Sequence, residues 1–145
     1  MNDNTLVNTD HAHATFSPKE MYDVAIVGGG LAGLALAIQL ARLNYAVILF
    51  EKEQYPFHKV CGEYISMESW PFLHSLGLNL QSMQLPVIKK LIVSTNQGKT
   101  LQHSLPLGGF GVSRYLLDHE LAKIAKSTGV AICENTKVNG IVAQV

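Results

Sequence analysis

Gly28, Gly30 and Gly33 stand in a Gly-x-Gly-x-x-Gly spacing, and Glu51 follows 18 residues after the last of them. Together these residues could bind a dinucleotide. Gly28 permits a tight turn out of a strand, Gly30 lets backbone approach a pyrophosphate, and Gly33 lets a helix lie close on a sheet. The helix start, Leu31 and Ala32, offers unpaired N–H groups and the positive end of the helix dipole to the phosphates. Glu51 stands where a carboxylate can accept a hydrogen bond from a ribose 2′-hydroxyl, with Lys52 beside it. A carboxylate there would repel a 2′-phosphate, so FAD and NAD fit and NADP fits poorly.

A glycine-rich turn in a plain α/β domain would show the same triplet, so the flanking elements decide. Asp23 to Val27 reads as a strand, and Leu31 to Leu43 as a helix with Leu34, Ile38 and Ala41 on one face and Leu36, Leu40 and Leu43 on another. A helix apolar nearly all round is expected to be buried on several sides. Asn44 suits the left-handed end of that helix. Ala46 to Phe50 is a continuous apolar run, as central parallel strands are. The fold class expected is α/β: a Rossmann-like domain with a parallel central sheet.

The 145 residues amount to about one domain. Eleven basic and eleven acidic residues cancel, which argues against nucleic acid as a partner. Cys61 and Cys133 lie in unlike contexts, so no disulfide framework is expected, and a reducing, cytoplasmic compartment is the default. Val24 to Ala41 carries no formal charge, but its glycines and Gln39 favour a turn and helix over a membrane span. Residues 1–20 carry Asp3, Asp10 and Glu20 and read as a flexible tail, not a secretory leader. His11 and His13 within it have no ligand array around them, and no metal site is expected.

Further along, Lys52 to Glu63 reads as a loop and Ser66 to Leu76 holds a short helix, capped by Ser66 or Ser69 and ended by Gly77. Pro71 suits its first turn. Leu91 to Thr95 and Thr100 to Leu105 read as a hairpin inserted into the domain, with Gly98 in its turn. A glycine patch, Gly108 to Gly111, leads to Ser113, an N-cap for a helix striped with Leu117, Leu121, Ile124 and Ala125. Gly129 closes that helix, and Val130 to Cys133 and Val138 to Val145 read as strands. Trp70, Phe72 and Leu73 read as helix packing, and Cys133 as core.

The run Lys59-Val-Cys61-Gly62-Glu63-x-Ile-Ser66, after the glycine turn and the acidic strand end, resembles the geranylgeranyl reductase family of FAD-dependent oxidoreductases. Val112-Ser113-Arg114-x-x-Leu-Asp118-x-x-Leu121 is similar to a motif shared more widely with flavin-dependent halogenases and aromatic-ring monooxygenases. The resemblance covers residues 21 to 145. It implies that Gly28, Gly30, Gly33 and Glu51 hold the ADP half of FAD, that Cys61 and Gly62 lie near the flavin, and that Arg114 contacts the cofactor. It implies hydride transfer from NAD(P)H through FAD to an unsaturated apolar or isoprenoid-like small-molecule substrate, with monooxygenase or halogenase chemistry as the alternative. A non-catalytic dinucleotide-binding module is a further one. Members of the family carry a later Gly-Asp motif and a substrate domain, and no Gly-Asp dipeptide occurs here. The expectation is therefore a tail over 1–20 and an incomplete FAD-binding domain over 21–145, its C-terminal part missing, inactive alone. Peripheral membrane contact would fall to the missing substrate domain.

Arg114 can also be weighed without the family. A cation in a helix's first turn faces the positive dipole end, unfavourable by roughly 0.3–1 kcal/mol. A pair with Asp118 four residues on would explain it, but base before acid is the weaker order. An anionic partner outside the helix is the favoured explanation.

Overall fold

The computed structural model describes residues 21–142. The expected tail with His11 and His13, and the final residues 143–145, lie outside that range. Among the described residues, six strands and three α-helices follow in order: β1 (Val24–Val27), α1 (Leu31–Arg42), β2 (Val47–Phe50), β3 (Tyr64–Ser66), α2 (Trp70–Ser75), β4 (Val87–Ser94), β5 (Thr100–Gly111), α3 (Arg114–Ser127) and β6 (Ala131–Cys133). They form two sheets. The first is parallel in the order β1-β2-β6, with Val24 opposite Val47 and Ile48 opposite Ala131. The second is antiparallel in the order β3-β5-β4.

The apolar run of β2 is central because it pairs on both edges, and Val47 and Leu49 are buried. Leu34, Ala37 and Ile38 of α1 pack there with Leu117, Leu121 and Ala125 of α3. Asn44 ends α1 at φ 66°, and its N–H donates to the Ala41 carbonyl. Ser113 caps α3, its hydroxyl accepting from the Leu116 N–H at 3.3 Å. Pro71 lies in the first turn of α2, and Gly77 follows that helix at φ 103°. Neither Ser66 nor Ser69 makes a side-chain cap bond. Trp70 packs edge-on against buried Phe110, and Leu73 is buried, as helix packing requires.

Three expectations need correction. The helix over 31–42 is not buried nearly all round: its sheet and α3 faces meet another layer, while Leu36 and, just past its end, Leu43 are exposed. The strand expected over Thr100 to Leu105 runs on through the glycine patch to Gly111, 12 residues in all. There Gly109 lies under the Tyr64 ring, where a Cβ would come within 2.4 Å of it, so the position excludes side chains. Finally, residues 138–142 form no strand. Among the described residues, no helix is long and apolar enough to cross a membrane.

Candidate functional site

The glycine turn crosses the C-terminal ends of β1 and β2, the usual ligand-binding edge of a parallel sheet. Gly28 adopts φ 102°, a left-handed conformation, and its N–H donates to the Phe50 carbonyl at 2.8 Å. Gly33 has no room for a side chain, since a Cβ there would lie 2.0 Å from the Gly28 carbonyl oxygen. Helix α1 starts after Gly30 with no side-chain cap and no acidic residue in its first turn. Its dipole and leading N–H groups are thus left for something else.

Glu51 is buried, yet both carboxylate oxygens are supplied with donors. Oε2 accepts from the Gly29 N–H at 2.8 Å and Oε1 from the Glu53 N–H at 3.1 Å. The Gly29 carbonyl in turn accepts from the Tyr55 hydroxyl. Burial, then the charges of Glu51, Asp118 and Glu134, push the Tyr55 phenol well above its ordinary range, so it stays a donor. The Tyr55 N–H donates to Glu134 Oε2 at 3.0 Å, tying the loop to the end of β6.

Arg114 forms a two-pronged bond with Asp118, Nε to Oδ1 at 2.8 Å and Nη2 to Oδ2 at 2.9 Å. The intrahelical pair that the sequence reading set aside is therefore made. It holds the guanidinium above its ordinary range, against the opposing effect of partial burial. The pair does not hide Arg114. Its Nη2 lies 3.6 Å, and Lys59 Nζ 3.7 Å, from where a Cβ on Gly30 would sit. Lys59 itself stands 3.8 Å from Glu51 Oε2 and 3.9 Å from Asp118 Oδ2.

Of these groups, the glycine turn, Glu51, Lys59 and Arg114 line one cavity of about 750 Å³. It gathers Gly28, Gly30, Leu31, Ala32, Gly33, Glu51, Lys52 and Arg114, all singled out in the sequence. Cys61 and Gly62 do not line it: Cys61 is exposed, its sulfur accepting from the Glu63 N–H at 3.4 Å, and Gly62 faces open space. Lys59, Thr136, Lys137 and Val138 line it without having been singled out. Lys59 lies in a quoted motif, and its signal was a cation three residues before the glycine. The segment after β6 carried no signal. Cys133 is half-buried, and burial pushes its thiol up. Among the described residues, no group of three or more His, Cys, Asp or Glu could hold a metal.

An uncapped helix start, a side-chain-free backbone at Gly30 and two cations beside it fit an anionic diphosphate, and a buried carboxylate suits a ribose hydroxyl. Fold and site define a dinucleotide-binding α/β domain. Residues 23–59 match the family model described as FAD dependent oxidoreductase. The chain is 30% identical over 119 residues to a menaquinone reductase of Mycobacterium tuberculosis, a match covering 79% of this chain and 29% of that protein. It is 28% identical over 152 residues to conditioned medium factor receptor 1 of Dictyostelium discoideum, covering 86% and 27%. The chain thus spans less than a third of the length of these relatives. Among solved structures, a geranylgeranyl bacteriochlorophyll reductase-like protein from Thermoplasma acidophilum shares the fold. Its TM-score is 0.68 at 20% identity, covering 85% of this chain and 32% of that one. A flavin-dependent halogenase matches with TM-score 0.68 at 24% identity, covering 80% and 23%. Residues 23–59 thus carry the sequence signature of the FAD-dependent oxidoreductases, and the fold is the one these proteins share.

Proposed function

We propose that this chain supplies the ADP-binding part of a flavoprotein reductase, with a reduced nicotinamide as electron donor and an unsaturated, apolar small molecule as substrate. The observation that carries the reading is the cavity in which the glycine turn, Glu51 and two cations converge. In this reading the diphosphate lies over Gly30 against the N–H groups of Leu31, Ala32 and Gly33, with Arg114 beside it. Glu51 keeps lone pairs free for a ribose hydroxyl while its N–H partners fix its orientation. Bound FAD would supply two-electron redox chemistry, which the protein orients and tunes. One relative bears the name menaquinone reductase, which supports an apolar substrate.

Cys61 and Gly62 are assigned to the flavin end, away from the adenine. They lie outside the ADP-sized cavity but follow Lys59 on the same loop. We further assign the protein to the cytoplasm, with membrane contact only peripheral.

The test is the colour of the protein. The gene's full reading frame, purified without added cofactor, should show a flavin absorbance spectrum, and anaerobic NADH or NADPH should bleach it. Colourless protein that takes up no FAD on titration would overturn the flavin assignment. Bound flavin that neither nicotinamide reduces would overturn the donor assignment alone.

A further inference from the structure

Lys59 is placed between two buried carboxylates that do not need it. Asp118 already receives both prongs of Arg114, and Glu51 already receives two backbone N–H groups. At 3.8 and 3.9 Å, Lys59 Nζ is drawn toward both carboxylates but stands beyond hydrogen-bond distance of either. It also rests 4.5 Å from the centroid of the Phe57 ring. Among the described residues, the ammonium donates no hydrogen bond, so its three protons are unspent. The open face of Gly30 lies next to it, and Arg114 Nη2 flanks the same spot.

Two negative charges therefore act as a tether, keeping a flexible cation at the turn without using its donors. We infer that Lys59 is a second diphosphate-binding cation opposite Arg114. We infer also that Asp118 is the positioning residue that holds both cations over Gly30. The inference rests on the reading of the cavity as an ADP site. One carboxylate on α3 then orients groups from two elements, its own helix and the loop after β2. Asp118 is almost fully buried and would itself touch no ligand.

The test titrates the 145-residue chain with ADP and, separately, with adenosine, by calorimetry at two salt concentrations. Wild type should prefer ADP. Lys59→Gln should weaken ADP by about tenfold, the scale of one charge-assisted contact, and leave adenosine unchanged. Lys59→Arg should recover most of the loss, and added salt should weaken ADP less in Lys59→Gln than in wild type. Asp118→Asn should lower ADP affinity and weaken its dependence on salt. Circular dichroism checks that each variant keeps its helix content. A Lys59→Gln chain that binds ADP as well as wild type, or loses ADP and adenosine equally, overturns the assignment of Lys59. A wild-type chain with no preference for ADP over adenosine overturns the cavity reading and this inference with it.

Discussion

The two sheets share one core unequally: the parallel sheet lies within it, whereas the antiparallel sheet reaches it through Phe110 at the end of β5. Around β2, Leu34, Ile38, Val47, Leu49, Leu117 and Leu121 are buried between sheet and helices. On the hairpin of β4 and β5, Leu91, Ile92, Val93 and Leu101 are all exposed, with Val93 and Leu101 directly opposite each other. The difference lies in layers as well as in residue type, since the hairpin also carries Lys89, Lys90, Gln102 and His103. A sheet face is buried only when a second layer lies on it. The parallel sheet has α1 and α3, while the far end of the hairpin has neither. Every lining residue of the candidate site belongs to the parallel-sheet half, to α3 or to the adjoining loops. The chemistry sits where the chain supplies its own packing.

The largest effects should mark that contrast. Leu34→Ala should destabilise the fold by about 2–5 kcal/mol, whereas Leu101→Ala should shift it by less than about 0.5 kcal/mol. Urea denaturation monitored by circular dichroism checks both. Equal costs at the two positions would break the comparison.

Next come substitutions at the turn itself. Glu51→Gln should weaken FAD binding by about 1.5–3 kcal/mol, the worth of hydrogen bonds to a charged group. Gly30→Val should weaken it further by placing a side chain where the cations converge. Fluorescence titration with FAD reads both, and unchanged affinity in the pair would remove the turn from the site.

A smaller effect is expected from alkali. The Tyr55 phenol is held above its ordinary value near 10, so the unfolded chain loses this proton first as pH rises. The stability linked to Tyr55 is fully present below that value and declines above it. Tyr55→Phe should flatten the alkaline limb of a plot of melting temperature against pH, measured by scanning calorimetry.

The smallest structural effect should come from the loop. In the full reading frame, Cys61→Ser should alter turnover or product pattern while flavin content stays near normal. Loss of flavin with no separate change in chemistry would place Cys61 in folding instead.

The sequence showed most clearly what is local. The glycine spacing, the left-handed Asn44, the Ser113 cap and the run of β2 are settled by neighbours a few residues apart. The strand over Tyr64–Ser66 is too short for a pattern and exists because Gly109 to Gly111 pairs with it. Those glycines read only as a patch leading to Ser113, since nothing local reveals that Tyr64 lies across them. At the site, Tyr55 and Lys59 are drawn in by residues from the strand end and from α3, contacts that only tertiary folding makes. Arg114 shows the opposite limit. A preference of a few tenths of a kcal/mol against base-before-acid order is outweighed by a two-pronged bond at 2.8 and 2.9 Å.

Gly29 is gripped at both ends by the protein: Glu51 takes its N–H and Tyr55 its carbonyl. The turn's freedom is therefore surrendered when the chain folds, not when a ligand arrives. Association then carries little ordering cost at this point, and the approach should resemble a key entering a finished lock. In ligand-free protein the Gly29 amide proton should accordingly exchange with solvent slowly, at a rate set by opening of the core.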